Sequence, residues 1–336
     1  MGRKLLVLAA ILCLLLPVPA LSEPESETDA FSEYLLRLPL VDQNAKKYQV
    51  KAYRYNKDVF KEYGCGPASV TNALLAACDV EDEETADRLL LDVMNSLVYH
   101  ERGKDSRIDL NYLERWKELD AEKYSSLYAL LEPYGSACSV TAENQTADSA
   151  WNVLYPRIAS GEETLWIGTM ESTQQWGDIL ELVHRLYEEG AGNARVVLGR
   201  MSTGTEHTYG PFRLASGHFA TLAFQPQNYF TTGNFYYLDS FYRYLPEEAA
   251  MSRKDNLSAT YSLYVHPNEK LRRTHEVERV SRNILRIRLN QEEQEKVNAL
   301  ATWEERRDVL VPIFDKFQFY GACMVCVYLP PEGGES

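Results

Sequence analysis

The sequence predicts an α+β fold in which a largely helical part is followed by a sheet that contains a β-hairpin. Three observations support this class: a glycine-rich turn at residues 63–67 leads into an alanine-rich helix, helical spacing dominates residues 86–159, and two aromatic, β-rich segments follow at 217–224 and 234–242. Of the 336 residues, 45% are apolar and 25% are charged. This composition is typical of a folded protein with a substantial core.

The charge balance and the first residues limit where the protein works and what it binds. The chain carries 35 basic and 49 acidic residues, a net charge of −14, so we expect no nucleic-acid partner. Residues 2–4 form a cationic start, and the apolar run at 5–16 is too short to span a bilayer. We therefore expect residues 1–22 to be a signal peptide, and the mature protein to be secreted without a stable membrane anchor.

The rest of the chain divides into three parts. Residues 23–42 are acidic and polar with little periodicity, and we expect them to form a lead-in segment that needs no fold of its own. Residues 43–266 form the predicted main domain, with a helical insertion at about 80–160. Residues 267–336 form a predicted extension of helices and a strand.

Periodicity and composition assign the elements that follow the insertion. Aromatic and β-branched runs predict strands, and spacing near 3.6 residues predicts helices. The predicted strands are 164–169, 195–200, 217–224, 234–242, 259–265 and 323–329. The predicted helices are 173–189, 291–300 and 303–314.

Cys65 is the candidate nucleophile because of its place in this fold. It lies between Gly64 and Gly66, at the start of a helix whose first turn contains Pro67. Unpaired backbone N–H groups and the helix dipole favour thiolate over thiol at such a position. The Cys65 N–H can also serve as one donor to an oxyanion. An isolated cysteine is more often a small buried hydrophobic residue, and we assign that role to Cys78.

A nucleophilic cysteine requires a base, and His218 is the histidine best placed to provide one. It follows a glycine at the head of one β-rich segment, and the next segment is expected to return antiparallel beside it. If the connecting loop is centred between Asn228 and Tyr229, His218 lies directly opposite Asp239. A carboxylate there holds an imidazole N–H and fixes its tautomer. The sequence therefore predicts a triad of Cys65, His218 and Asp239.

Three short motifs carry these residues in a fixed order. They are Tyr63-Gly64-Cys65-Gly66-Pro67-Ala68-Ser69, Gly217-His218-Phe219 and Tyr237-Leu238-Asp239-Ser240. Together they resemble the papain-like cysteine peptidase superfamily, and in particular its bacterial branch, similar to the peptidases that cleave double-glycine leader peptides. The resemblance implies Cys65 as nucleophile, His218 as general base and Asp239 as its orienting acid. It also implies a papain-like fold, in which the helix that carries the cysteine packs against an antiparallel sheet.

The chain departs from that superfamily at the second oxyanion donor. Members usually place a glutamine several residues before the cysteine, whereas Asp58 and Val59 occupy the nearest positions here. Asn56 is the best substitute because its amide can donate a hydrogen bond, and Gln49 is a poorer candidate on distance. Loss of one such donor typically costs about 2.7–4 kcal/mol of transition-state stabilisation.

Phytochelatin synthase is a second family that these motifs resemble. It also has a Cys-Gly helix start and a Gly-His-Phe strand, and its aspartate precedes an aromatic and basic run similar to residues 239–246. That resemblance implies transfer of a γ-glutamylcysteine unit from glutathione to a thiol acceptor. Pro67 favours the peptidase. We expect a cysteine peptidase acting on a peptide or small amide, with the transpeptidase and a catalytically inactive binding protein as alternatives.

The remaining cysteines do not predict a metal site. Removing Cys13 with the signal peptide leaves five of the six cysteines, and either four of them pair in disulfides or all are reduced and buried. Cys323 and Cys326 have the spacing of half a zinc site, but a strand sends positions i and i+3 to opposite faces. We expect structural burial for this pair, and no metal or organic cofactor. The sequence does not indicate an oligomeric state.

Overall fold

The computed structural model describes the greater part of the predicted main domain and of the C-terminal segment. The described residues are 29–42, 45–49, 54–55, 58–59, 64–100, 106–171, 174–202, 219–240, 273–281, 283–315 and 318–331. The predicted signal peptide, Asn56, His218 and the strand predicted at 259–265 lie outside them.

The described elements follow the predicted alternation of helices and strands. The helices are α1 Ala30–Arg37, α2 Cys65–Cys78, α3 Glu83–Ser96, α4 Asn111–Glu114, α5 Ser125–Leu131, α6 Ala147–Ser160, α7 Gln175–Glu188, α8 Pro226–Thr232, α9 Gln291–Asn298 and α10 Trp303–Phe314. The strands are β1 Arg54–Tyr55, β2 Asp58–Val59, β3 Val98–His100, β4 Ser106–Ile108, β5 Cys138–Asn144, β6 Thr164–Met170, β7 Arg195–Ser202, β8 Phe219–Phe224, β9 Phe235–Leu238, β10 His275–Arg279, β11 Ile284–Leu289 and β12 Gln318–Leu329.

Eight of these strands form one sheet in the order β10-β11-β9-β8-β7-β12-β6-β5. β5 and β6 pair in parallel and are joined through α6, because parallel neighbours need a long crossover connection. The other neighbouring pairs are antiparallel. A mixed helix-and-strand fold with a largely antiparallel sheet is therefore confirmed.

Helices cover both faces of the sheet. One core cluster joins α1, α2, α3 and α5 to one face, and a second joins α6, α7 and α10 to the other. Side chains alternate between the two layers along each strand, so that Leu222 lies on the α7 side and Ala223 on the α2 side. β6, β8 and β9 are buried along their whole length. Burial on both faces explains why these strands are continuous apolar runs.

Three described elements show how the predicted parts of the chain pack together. The lead-in segment contains the helix α1, which buries Phe31 and Leu35. Its N-cap is Asp29, whose side chain accepts a hydrogen bond from the Ser32 backbone N–H. The insertion at about 80–160 is not only helical, since β5 is an edge strand of the sheet. The C-terminal extension is also part of the sheet, because β12 lies between β7 and β6.

The five described cysteines are not joined in disulfides, so of the two alternatives the structure has the reduced one. Cys323 and Cys326 are fully buried and pack into opposite core clusters, as the strand alternation predicts. Burial raises the pKa of the Cys323 thiol to about 12 and that of Cys326 well above its ordinary value. The expectation of structural burial for this pair is confirmed.

Arg195 joins the first helix to the sheet. Its side chain is 9% exposed, and the guanidinium carbon lies 4.5 Å from the ring centroid of Tyr34 and 4.1 Å from that of Tyr328. Its Nη1 is 3.9 Å from Asp79 Oδ2 at the end of α2. A guanidinium between two aromatic rings is stabilised by their π-electron faces, most strongly where water is excluded. This cation therefore stabilises the position of α1, α2 and β12 together.

We expect Arg195→Ala to lower the free energy of unfolding by about 2–4 kcal/mol, because it removes both ring contacts and the packing of the aliphatic stem. Urea denaturation followed by circular dichroism measures the change. Arg37→Ala is the control, since Arg37 also contacts Tyr34, at 5.7 Å, but is solvent-exposed and should leave the midpoint almost unchanged. Equal losses for the two variants would contradict the role assigned to Arg195.

Candidate active site

Cys65 begins α2, as predicted, and is partly exposed, whereas the helix interior from Gly66 to Ala77 is buried. Gly64 is the N-cap and has no side chain to cap the helix, and the first turn contains no acidic residue. Because glycine has no side chain, Gly64 accepts no side-chain hydrogen bond from the backbone N–H groups of the first turn. The positive end of the helix dipole lies at the Cys65 side chain. This environment favours a thiolate.

The alanine-rich sequence of α2 brings this helix close to the sheet. The helix packs on β7, β8 and β12. At Gly199 in β7, a Cβ atom would lie 3.4 Å from the Ala73 Cβ and 3.5 Å from the Val70 Cα. Small side chains on both sides allow this approach, which places α2 directly against β7 and β8.

Asp239 directly follows β9 and is 1% exposed. Its backbone N–H donates to the Asn283 carbonyl at 2.9 Å, so the turn before β11 fixes its main chain. A carboxyl group is costly to bury unless hydrogen bonds or an opposite charge compensate it. Burial in such a place is more typical of a functional or structural role than of a residue that only ends a strand.

The predicted pairing of His218 directly opposite Asp239 is wrong by two residues. Leu222 pairs with Tyr237, so the position facing Asp239 is that of Ala220. The reason is the connection, which contains the helix α8 and ends at Gly233 with φ of 75° instead of forming a symmetric loop. A shift of two residues conserves the face of each side chain, because the side-chain period of a strand is two.

Tyr237 is a buried residue that lies within electrostatic range of both Cys65 and Asp239. Its ring is 3% exposed, and no described residue hydrogen-bonds to its hydroxyl group. Burial raises the pKa of the Tyr237 phenol well above its ordinary value, and Asp239 and Cys65 raise it further through their negative charges. Both side chains therefore lie within electrostatic range of the same phenol oxygen. No pattern in the sequence distinguishes Tyr237, which is one aromatic residue among several in a strand.

The other described thiols have different surroundings from Cys65. Burial raises the pKa of Cys78 and of Cys138 to about 12 in each case, and the nearby Arg195 offsets only part of the effect at Cys78. With Cys323 and Cys326 these thiols remain protonated near neutral pH. By exposure Cys78 is only partly buried, packed against the core cluster that contains α2, whereas a buried residue was expected.

Two of the predicted site residues are described and two are not. Cys65 and Asp239 both lie within electrostatic range of the Tyr237 phenol. His218 immediately precedes β8, and Asn56 lies between β1 and β2, but neither is described. In the described part of the chain, no group of three or more His, Cys, Asp or Glu side chains is arranged to hold a metal ion. No described helix has the length and apolarity needed to cross a bilayer.

Comparison with protein-family models, with curated proteins and with solved structures yields no match. The resemblance to papain-like peptidases therefore remains a prediction from the three sequence motifs.

Proposed function

We propose that this protein is an exported, papain-like cysteine peptidase that hydrolyses peptide or small amide bonds with Cys65, His218 and Asp239. The observation that carries the proposal is that α2, which begins at Cys65, packs on β8, and that β9, the partner strand of β8, ends next to the buried Asp239. The two residues are distant in sequence and come from the two elements on which the motifs place a nucleophile and an orienting acid. Export is inferred from residues 1–22 alone.

The register of β8 and β9 supports His218 as the base between them. Ala220 faces Asp239, and in a strand residues i and i+2 share a face. If β8 continues by one residue, His218 is the diagonal neighbour of Asp239, about 7–8 Å away between Cα atoms. Histidine and aspartate side chains can span that separation with a hydrogen bond.

The proposed reaction is acyl transfer in two steps. His218 takes the proton from the Cys65 thiol, and the thiolate attacks the amide carbonyl carbon to form a C–S bond. The Cys65 N–H and the Asn56 amide stabilise the oxyanion. The imidazolium then protonates the leaving amine as the C–N bond breaks. Water attacks the thioester, releasing the carboxylic acid and restoring the thiol.

We expect selective alkylation of Cys65 in the native protein at about pH 6, because iodoacetamide reacts with thiolates and the other described thiols are protonated there. Quantitative mass spectrometry of the cysteine peptides compares the initial rates, and Cys65 should react at least ~10-fold faster than Cys78. In the unfolded protein the cysteines should react at similar rates. Equal native rates for Cys65 and Cys78 would refute the proposal and favour an inactive binding protein.

Incubation with glutathione separates hydrolysis from transpeptidation. A peptidase should release no chain-extended γ-glutamylcysteine products, whereas a transpeptidase forms them through the same thioester. Detection of such products by mass spectrometry, together with their loss in Cys65→Ala, would replace the peptidase assignment with the transpeptidase one.

A further inference from the structure

Ser69, one helical turn after Cys65, joins three elements through buried hydrogen bonds. Its Oγ donates to the Gly66 carbonyl at 3.0 Å and accepts from the Arg200 backbone N–H at 3.2 Å. Its own carbonyl accepts a hydrogen bond from Thr221 Oγ1 at 2.7 Å. Ser69 is 1% exposed and Thr221 is fully buried. The first turn of α2 is therefore tied directly to β7 and β8.

Arg200 lies at an irregularity of β7 and has a conformation that few residues adopt. Its φ is 64°, and the β7–β8 register shifts between Leu198 and Met201. Left-handed backbone costs conformational energy in a residue with a side chain, and such strain is found mostly at functional sites. This kink directs the Arg200 N–H at Ser69.

The Arg200 side chain continues the connection to the start of β8. It is 3% exposed, its Nη1 donates to the Ala322 carbonyl at 3.2 Å, and its guanidinium lies 4.9 Å from the ring centroid of Phe219. Phe219 is the residue after His218. The backbone of Arg200 thus contacts the helix of the proposed nucleophile, and its side chain contacts the neighbour of the proposed base.

We propose that Ser69, Thr221 and Arg200 form a bracket of positioning residues that sets the distance and orientation of Cys65 relative to the start of β8, which His218 immediately precedes. This inference rests on the proposed function and adds the residues that hold the proposed nucleophile in a reactive position relative to the proposed base. Apolar packing of α2 on Gly199 already holds the helix to the sheet, but such packing has no preferred direction. Buried hydrogen bonds at the first turn fix the rotation and the translation of the helix along its axis.

The test compares matched variants by the pH dependence of Cys65 alkylation with iodoacetamide. Thr221→Val is isosteric and removes the hydroxyl that binds Ser69, whereas Thr221→Ser retains it. Thr71→Val is the control, because Thr71 is equally buried and its Oγ1 donates to Pro67 within α2, at 2.9 Å, without reaching the sheet. Urea denaturation of each variant shows that it is folded.

Thr221→Val should slow alkylation at about pH 6 by ~10-fold or more and move the midpoint of its pH profile upward, because a displacement near 1 Å weakens the contact between thiolate and base. Thr221→Ser should restore the wild-type profile, and Thr71→Val should leave it unchanged whatever its stability. A second variant, Ser69→Ala, should move the midpoint in the same direction as Thr221→Val.

The outcomes separate this inference from the proposed function. If the wild type alkylates selectively at Cys65 and folded Thr221→Val has the wild-type profile, the bracket is refuted and the peptidase proposal stands. An equal shift of the alkylation midpoint in Thr71→Val and Thr221→Val also refutes the bracket. The shift would then follow the loss of stability and not the loss of the hydrogen bond to Ser69. A wild type without selective alkylation of Cys65 overturns both proposals.

Discussion

Replacing Cys65 with alanine should reduce amide hydrolysis by roughly four to six orders of magnitude, because no other described thiol can form the thioester. Four of the five described cysteines are enclosed by the core or have strongly raised pKa values. The purified wild type and variant are compared on a mixture of short peptides, with mass spectrometry of the products. Cys65→Ser should also be inactive, since a hydroxyl group in this position is a far weaker nucleophile than a thiolate.

Cys78→Ala provides the matched control for this prediction. Cys78 ends the same helix at the opposite terminus, and burial raises its thiol pKa to about 12. We expect this variant to keep the wild-type rate of hydrolysis while losing some stability. Full activity in Cys65→Ala would rule out the thioester mechanism, and with it the assignment as a cysteine peptidase.

Asp239→Ala should lower kcat by roughly 10³–10⁴-fold, because the imidazole loses the group that orients it and stabilises its protonated form. The alkylation rate of Cys65 at about pH 6 should fall as well, since an unoriented imidazole no longer supports the thiolate. Asp239→Asn should lose less activity, because the amide oxygen of asparagine can still accept the imidazole N–H. Single-turnover kinetics on a cleaved peptide measure the series.

A second buried carboxylate in the chain distinguishes a loss of catalysis from a loss of stability. Asp92 in α3 is 8% exposed and accepts hydrogen bonds from the Ser126 and Leu127 backbone N–H groups at 3.1 and 3.0 Å. Asp92→Ala should therefore destabilise the fold while leaving Cys65 alkylation unchanged in the folded protein. If Asp92→Ala and Asp239→Ala reduce the alkylation rate equally, Asp239 has no specific role in catalysis.

Local rules were sufficient for the elements with strong signals. The glycine-rich turn and the following alanines predicted α2 because they combine a permissive start with small residues of high helix propensity. The apolar run at 323–329 predicted the strand β12, but its place between β7 and β6 depends on pairing with distant segments. A run of apolar residues indicates that both faces of a strand are buried, but it does not indicate which strands pair with it.

The helix α1 and the register between β8 and β9 were not predicted correctly, for different reasons. The helix α1 has its apolar residues at helical spacing, at Phe31, Tyr34, Leu35 and Leu38, but it is short and lies in an acidic segment whose average composition hides the pattern. The predicted register between β8 and β9 was wrong because the residues that connect the two strands form the helix α8, whereas a loop was expected. Loop geometry sets strand register, and it is poorly determined by residue type alone.

The sequence by itself determined the chemistry available to this protein: a cysteine at a helix start, a histidine before a strand and an aspartate after the next one. These are local facts, set by backbone geometry and by the order of the elements. Only the tertiary structure decided that α2 packs on β8 beside the strand that Asp239 follows, and that Ser69, Arg200 and Thr221 connect the helix to the strands. Such contacts join residues far apart in the chain. They exist because burial of both sheet faces forces distant polar groups to satisfy one another.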